Sequence, residues 1–475
     1  MKRSRLPIRP RPLVFEDLES RSMLAAVATA AGGIINIVGD NLANDVRINA
    51  GAVPGQFVVT GVTGAPKTFN NITGIMANLL GGNDFFKVGT SGEPAEVLGN
   101  ITVLLGPGSD QANFRVNSLG TVMVDGGLQA NALAQNDVVD VNNSILGGLV
   151  VNLWAGNDGL VITNSAILNL VANLGVNSLL PGQTDSDEVF IESSAIGNAA
   201  ITVGTAANGG ANFFDGSSTV FGALTITGGN KSDLIFLDSA EECGIGQQLR
   251  LGLVDLVDDL EPLLESFAAR FNVEALLNRL DSVLGTVAAA SGIDLEGLDL
   301  SQLWAQGVDP SDALNALFVR LEEEGLSFCE IGQQTTVVTN LVVNTLAGND
   351  FVQIGQGLLT APAALELPDP EELLLKALNA DVLVLGTATI NTGDGHDGVE
   401  LNRLFVGVAL TVLLGAGNDS LCVNDVTAAV VVFLGGAGFD ELLFDFDGVR
   451  DELTGYLSYT QLEFEFIGAC FVNED

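Results

Sequence analysis

The hydrophobic positions of this chain fall in short, nearly continuous runs, each followed by a polar turn that is rich in glycine and ends in aspartate. The clearest copies span residues 149–162, 341–354, 410–423 and 430–444. Short runs of β-branched and aliphatic residues predict strands that are buried or stacked on both sides, as in parallel sheets. The recurring order of run, turn and run predicts one supersecondary unit repeated along the chain.

The spacing of the turns indicates how the units are arranged. Asp397, Asp419 and Asp440 follow one another at intervals of 22 and 21 residues, and other copies are further apart. A minimum near this length with variable excess is typical of coils that carry loop insertions, and stacked coils bury a face that one coil cannot. We therefore predict a mainly β protein built as a parallel β-solenoid, or β-helix. Antiparallel sandwiches are the alternative.

Two stretches break the strand pattern. Leu253, Leu256, Leu260, Leu263 and Phe267 recur with helical periodicity, which predicts an inserted α-helical subdomain over 243–330. A shorter helical excursion is predicted over 366–380. The predicted organisation is an export leader (1–26), N-terminal coils (27–242), the insertion (243–330), and C-terminal coils with a cap (331–475). The insertion is interpreted either as a protein-docking module or as a lid that packs its own apolar face.

Charge narrows the classes of partner. The formal net charge is −41, from 59 acidic and 18 basic residues. Such a field repels nucleic acid and anionic membranes and attracts cations. No apolar run approaches the roughly 20 residues that a membrane helix needs. We expect no nucleic-acid partner and no transmembrane segment, and an extracellular or envelope protein or polysaccharide as the partner.

The N-terminus reads as a targeting segment. A basic stretch, 1–11, precedes the string FEDLESRSMLA at 15–25, which a general secretory signal would not carry because of its three acids. The string resembles the LEPR-XLL family of leaders on exported surface proteins of planctomycete bacteria, and it departs from that pattern at 20–22. The resemblance implies export and a secreted or cell-envelope location.

Four cysteines fit an oxidising compartment. Cys243 and Cys329 stand in similar contexts on either side of the predicted insertion. We predict that they pair at its base, and that Cys422 and Cys470 form the second pair. Four buried thiols are the alternative.

The turn aspartates are the candidate chemistry. Residues 415–421 (GAGNDSL) and 435–442 (GGAGFDEL) resemble the calcium-binding RTX nonapeptide, which implies calcium as a cofactor. Hard carboxylate and carbonyl oxygens suit that ion. The predicted calcium turns are those of Asp84, Asp158, Asp350, Asp397, Asp419 and Asp440. RTX repeats recur every 9 residues, whereas these turns recur at about 21, and Asn-Asp also forms plain Asx turns without any ion.

No catalytic constellation is evident. The chain has a single histidine, His396, in the variable position of a turn. We expect its side chain to be exposed and to act only as a spacer. No nucleophile–base motif, phosphate loop or zinc motif is present. We expect a non-catalytic, acidic scaffold or adhesin outside the cell. The alternatives are an RTX-like calcium-binding protein that folds on export, and a polysaccharide-active β-helix lyase or hydrolase.

Overall fold

The computed structural model describes residues 26–90, 94–127, 135–154, 156–175, 185–203, 209–216, 218–220, 222–238, 335–337, 339–355, 380–444, 453–464 and 466–469. These residues are mainly β and contain no helix. The predicted leader, the insertion at 243–330 and nearly all of the excursion at 366–380 lie outside the described residues, as do Cys243, Cys329 and Cys470.

One ladder of strands follows the aspartate turns, and we name it the post-turn ladder. Each strand pairs in parallel with the next in the list. Its thirteen members are β3 (Asp45–Ala50), β7 (Phe85–Val88), β10 (Gln111–Phe114), β12 (Val138–Asn142), β14 (Gly159–Thr163), β16 (Asp185–Glu192), β18 (Gly209–Gly216), β21 (Leu234–Asp238), β24 (Phe351–Ile354), the first part of β27 (Gly398–Leu413), the first part of β29 (Ser420–Leu434), β31 (Glu441–Phe444) and β33 (Phe466–Ala469).

A second ladder precedes the turns, and we name it the pre-turn ladder. It is also parallel throughout. Its members are β2 (Ile34–Val38), β6 (Gly74–Asn78), β9 (Ile101–Leu104), the later parts of β11 (Val116–Asp125), β13 (Ile145–Asn152), β15 (Ala166–Asn173) and β17 (Ala195–Thr202), then β20 (Leu224–Thr227), β23 (Asn340–Asn344), β26 (Thr387–Asn391), and the last parts of β27, β29 and β32 (Leu453–Leu462).

A short third ladder links the other two. It comprises β8 (Ala95–Val97), the first parts of β11, β13, β15 and β17, then β19 (Thr219–Val220), β22 (Thr335–Val337), β25 (Val382–Val384) and inner parts of β27, β29 and β32. Two-residue strands β28 (Ala416–Gly417) and β30 (Ala437–Gly438) pair with each other in the aspartate turns, between the pre-turn and post-turn ladders.

The two termini of the ladders differ. At the start, β1 (Val27–Ala31) lies antiparallel to β2, β4 (Phe57–Thr60) lies antiparallel to β3, and β5 (Lys67–Phe69) lies antiparallel to β4. Reversed strands of this kind cover a sheet edge that would otherwise pair with another chain. At the far end, β32 and β33 each add one more parallel strand. These two strands join different ladders.

The core follows from strict alternation along these strands. In the pre-turn ladder, one inward column runs through Ile75, Ile101, Val122, Leu149 and Leu170, and each of these side chains is buried. Because parallel strands stack in register, each apolar residue lies on its counterpart, about 4.8 Å away. The apolar runs of the sequence therefore become continuous columns inside the molecule.

The pairing decides between the two architectures that the sequence left open. Apart from the three antiparallel pairs at the N-terminal end, every pairing between the described strands is parallel. Antiparallel sandwiches do not describe this part of the chain. The prediction of long parallel β-ladders is confirmed.

Candidate functional site at the aspartate turns

The turn aspartates of successive repeats line up at the start of the post-turn ladder. We name this column the aspartate ladder. All six predicted calcium residues belong to it, and all its members are at most 3% exposed: Asp84, Asp110, Asp137, Asp158, Asp187, Asp233, Asp350, Asp397, Asp419 and Asp440. The structure thus brings these residues into one column, one per repeat, with their side chains inside the molecule.

Nine of these ten carboxylates accept a hydrogen bond from the backbone of the preceding repeat, and Asp233 Oδ2 accepts the N–H of Gly229 in its own turn at 2.8 Å. Asp84 N–H donates to Asp110 Oδ1 at 2.6 Å, Asp110 N–H to Asp137 Oδ1 at 2.8 Å, and Asp137 N–H to Asp158 Oδ1 at 2.8 Å. The same bond joins the later members, from Asp350 to Asp397 at 2.9 Å and from Asp419 to Asp440 at 3.1 Å. A buried N–H without an acceptor is costly, and here the next aspartate supplies that acceptor.

At several turns, the residue before the aspartate makes the opposite link. Its exposed side chain accepts an N–H from the following repeat: Ser109 N–H donates to Asn83 Oδ1 at 3.2 Å, and Phe439 N–H to Asn418 Oδ1 at 3.0 Å. An Asn-Asp pair therefore ties its repeat to both neighbours. This reciprocal bonding gives the motif a structural reason that needs no ion.

His396 belongs to this outer row. Its own N–H donates to Asn349 Oδ1 at 3.0 Å, and its Nδ1 accepts the N–H of Asn418 at 2.9 Å. The side chain is exposed. It takes the place of the asparagine found in other turns. The prediction of an exposed turn position is confirmed, and the hydrogen bond through Nδ1 is an addition to it.

The turn glycines are required by close stacking of backbone on backbone. Gly415 has φ +95°, and a Cβ there would overlap the carbonyl oxygen of Gly393 one repeat earlier. The corresponding residues Leu80, Trp154 and Leu346 also have positive φ, from 67° to 74°, a conformation that is unfavourable for side chains of this kind. Glycine is therefore the easiest solution at this position.

Burial changes the acidity of the ladder. Desolvation raises the pKa of Asp110 to about 7 and that of Asp137 to about 8, and in Asp137 the neighbouring Asp110 carboxylate adds to the effect. Desolvation also raises the pKa of Asp84, Asp350, Asp397 and Asp419 to about 6. Low-dielectric surroundings favour the neutral carboxylic acid in each case.

The second carboxylate oxygen explains the strength of this preference. Oδ2 of Asp84, Asp110, Asp137 and Asp419 is buried and accepts no hydrogen bond. For Asp137, that oxygen lies against Gly126, where a Cβ would overlap it. An ionised carboxylate with one unsatisfied oxygen in a dry environment is costly, which is why burial raises the pKa of these groups, most of all that of Asp137.

The turn carboxylates of different repeats do not converge on a shared position. Among the described residues, no group of three or more His, Cys, Asp or Glu side chains is placed to hold a metal ion. The carboxylates are separated by repeat, and in nine of the ten Oδ1 accepts a backbone N–H. Calcium at these turns stays a prediction from the RTX resemblance, and the structure does not test it.

A second column, made of serine side chains, was not predicted from the sequence. At the corner after the post-turn ladder, Val116 N–H donates to Ser144 Oγ at 2.9 Å, Ser144 N–H to Ser165 Oγ at 3.2 Å, and Ser165 N–H to Ser194 Oγ at 3.2 Å. Ser194 N–H continues to Ser218 Oγ at 3.3 Å. We name it the serine ladder. The sequence signal was an Asn-Ser or Ser-Ser pair before an aliphatic run.

The described arginines bond to side chains close to them. Arg47 pairs with Asp45 at 2.8 Å and lies over the Phe85 ring, while Arg403 pairs with Asp381 at 3.1 Å. Arg115 donates to Asn142 Oδ1. These three arginines lie in different repeats and bond locally.

Cys422 lies on the outer face of β29 and is disulfide-bonded. Its partner is outside the described residues, so the pairing with Cys470 stays a prediction. The described part of the chain holds no helix long and apolar enough to cross a membrane. Comparisons with family models, curated proteins and solved structures found no match.

Proposed function

We propose that this chain is an exported, non-catalytic scaffold or adhesin whose parallel ladders wind as a β-solenoid with a helical insertion. The observation that carries the proposal is the reciprocal Asn-Asp bonding. The repeated polar residues, which are where a repeat protein would place a catalytic or metal site, bond one repeat to the next through backbone amides. The Asn-Asp motif therefore holds neighbouring repeats together.

The length of the strand stack supports a role as a rigid spacer. Thirteen stacked strands with a separation of about 4.8 Å give a stack of roughly 58 Å. Each repeat contacts its neighbours only, as in other solenoids, so length is gained by adding repeats. The acidic surface keeps copies apart and leaves contacts to the loops.

Location rests on the leader resemblance. The FEDLESRSMLA string at 15–25 is similar to leaders of exported planctomycete surface proteins, and the cysteines agree with an oxidising compartment. We propose a secreted or envelope-associated site of action, with an extracellular protein or polysaccharide partner.

Two measurements test the proposal. Fractionation and immunogold microscopy of cells expressing the full chain are expected to place it outside the cytoplasm, and a variant lacking 1–25 is expected to stay inside. Small-angle scattering of the purified chain is expected to give an elongated particle. Retention of the full chain in the cytoplasm would contradict export, and a spherical particle would contradict the rod.

A further inference from the structure

The outward side of the pre-turn ladder carries almost no charge. Each strand presents two or three outward side chains, as β26 does with Thr387, Thr389 and Asn391, and the residues between them are buried. We name the surface formed by these outward residues, from β2 to β32, the pre-turn face. Among the described residues of this face, Asp125 alone has a charged side chain.

The outward side of the post-turn ladder is different. It carries charged side chains along its length, among them Lys87, Asp140, Glu188, Glu400 and Glu441. With a net charge of −41, two copies of this chain repel each other wherever their acidic surfaces meet. The pre-turn face is the exception, because a second copy can approach it without bringing rows of like charges together.

Exposed apolar side chains lie at the two ends of the pre-turn face. At the end that begins with β2, Val38 is 51% exposed and Met76 is 47% exposed. At the other end, Leu462 on β32 is 55% exposed, and Leu413 and Leu434 lie half-buried in the same column. Apolar side chains that are exposed together on one surface mark an interaction site.

Amide and hydroxyl side chains occupy the middle of the face, where bonds along the ladder hold them in place. Asn173 Nδ2 donates to Asn152 Oδ1 at 3.0 Å, and Thr387 Oγ1 donates to Asn340 Oδ1 at 2.7 Å. Side chains that are already ordered lose little conformational freedom when a partner binds. Because amides and hydroxyls both donate and accept hydrogen bonds, a row of them is complementary to another row of the same kind.

We propose that a second copy of this chain docks on the pre-turn face, with its strand stack running in the opposite direction. A two-fold interface brings the same surface of both copies together, so this surface must be complementary to itself. Apolar ends and a middle of amides and hydroxyls meet that condition, since each end faces the apolar end of the other copy. The proposal goes beyond the scaffold function and does not depend on export.

The strand order determines which residues meet. The ladder has thirteen strands, and with the seventh strand, β17, at the centre, the first strand faces the thirteenth and the third faces the eleventh. Val38 then lies opposite Leu462, and Leu104 lies opposite Leu413, because all four stand in one column that the two-fold axis maps onto itself.

The one charge on the face favours the antiparallel arrangement. Asp125 stands in the same column on the fourth strand, and Asn391 stands in it on the tenth. The antiparallel pairing therefore puts an amide donor opposite the carboxylate, and a hydrogen bond to an ionised group is among the stronger kinds. In a parallel pairing, the outer columns exchange places, which would put Leu104 against the polar side chain of Asn100.

The area of the face suits a stable dimer. Thirteen strands at a separation of about 4.8 Å give a length of about 58 Å, and strands of five residues at about 3.3 Å each give a width of about 16 Å. The product is about 900 Å² for each copy. Stable protein interfaces bury roughly 800 Å² per partner.

Sedimentation velocity of the full chain over a range of concentrations tests the association. We expect a dimer, and we expect Ala200→Glu, at an exposed position on the central strand, to weaken it at least tenfold, because the two introduced carboxylates would face each other. Gln111→Glu adds the same charge on the post-turn ladder and is expected to leave the dimer unchanged. A monomer at all concentrations, association only after a neutral polysaccharide is added, or equal weakening by both variants would each overturn the proposal.

Crosslinking with a short bis-maleimide tests the arrangement without adding charge. Ala200→Cys lies at the centre, so two copies of this variant are expected to crosslink to each other. Thr411→Cys on the eleventh strand would lie about 38 Å from its counterpart, eight strands away, so it is expected to crosslink only to chains that carry Thr102→Cys on the third strand. The chain without an introduced cysteine is the control. Crosslinking of Thr411→Cys to itself, or no crosslink between Ala200→Cys chains, would overturn the proposal.

Discussion

The aspartate ladder and the serine ladder perform the same task at two corners of the repeat with different chemistry. In both, a buried side chain accepts a backbone N–H from the preceding repeat, at 2.8 Å for Asp137 and 3.2 Å for Ser165. The serine hydroxyl then donates its own proton to a nearby carbonyl, as Ser165 Oγ does to Thr163 O at 2.8 Å. Serine is thereby satisfied as acceptor and as donor.

The aspartate is satisfied only on one oxygen. Asp137 accepts through Oδ1, and its Oδ2 is buried without a hydrogen bond. The contribution of the serine corner to stability is therefore expected not to change with pH. The contribution of the aspartate corner depends on the protonation of its carboxyl groups. The same backbone geometry can thus be held by a neutral or by a titratable group, and only the titratable one makes the fold sensitive to its surroundings.

The largest expected effect is a loss of stability as pH rises. The folded-state pKa values of about 6 to 8 lie above the ordinary aspartate value of 3.8. The folded state therefore binds more protons than the unfolded state between these limits, and the contribution is full below about pH 4 and is lost as pH rises through 6 to 8. We expect the free energy of unfolding to fall by on the order of a few kcal/mol between pH 5 and 8.5. Urea unfolding at both pH values measures it, and equal midpoints would contradict it.

Removing one acceptor from the ladder is the next largest effect. Asp137→Ala leaves the Asp110 N–H buried without its partner, which is expected to destabilise the chain by about 1–3 kcal/mol. Asp137→Asn keeps an acceptor and removes the charge. We expect it to be more stable than the unsubstituted chain at pH 8.5 and not at pH 5. Thermal melts of the three proteins at both pH values would show the crossing, and parallel pH profiles would exclude it.

The serine ladder provides the matched control. Ser165→Ala removes the acceptor of Ser144 N–H, and we expect a loss of about 1 kcal/mol. Because no charge is involved, the loss is expected to be equal at pH 5 and 8.5. A loss that grows with pH would mean that the two corners are coupled, and the contrast between them would fail.

Calcium is expected to have the smallest effect. Because Oδ1 of Asp419, like that of most ladder residues, accepts a backbone N–H, we expect millimolar calcium to associate with the acidic exterior and magnesium to act equally. Calorimetry and melting of the full chain measure this. Saturable heat with calcium alone, together with a raised melting temperature that Asp419→Asn abolishes, would contradict it and revive the RTX-like calcium turn.

Particular residues show which parts of the fold the sequence pattern predicted. The apolar runs and the turn spacing predicted parallel ladders, and the Gly-x-Asp turns predicted the column of aspartates. At two positions, the aspartate that follows the turn is not the residue that lies in the column. Asn44, not Asp45, donates to Asp84 Oδ1, and Ala211, not Asp215, pairs beside Asp187. A shift of this size is invisible in a single sequence because the register depends on which strand lies underneath.

The sequence by itself determined the class of structure, because hydrophobic periodicity and glycine-rich turns restrict the chain locally. Tertiary structure alone decided the direction in which the turn carboxylates face. A motif of Gly, Asn and Asp is equally compatible with oxygens pointing outward to an ion and with oxygens pointing inward to an amide. Which of these holds depends on the N–H that the neighbouring repeat presents. The residue types alone do not show where that group lies.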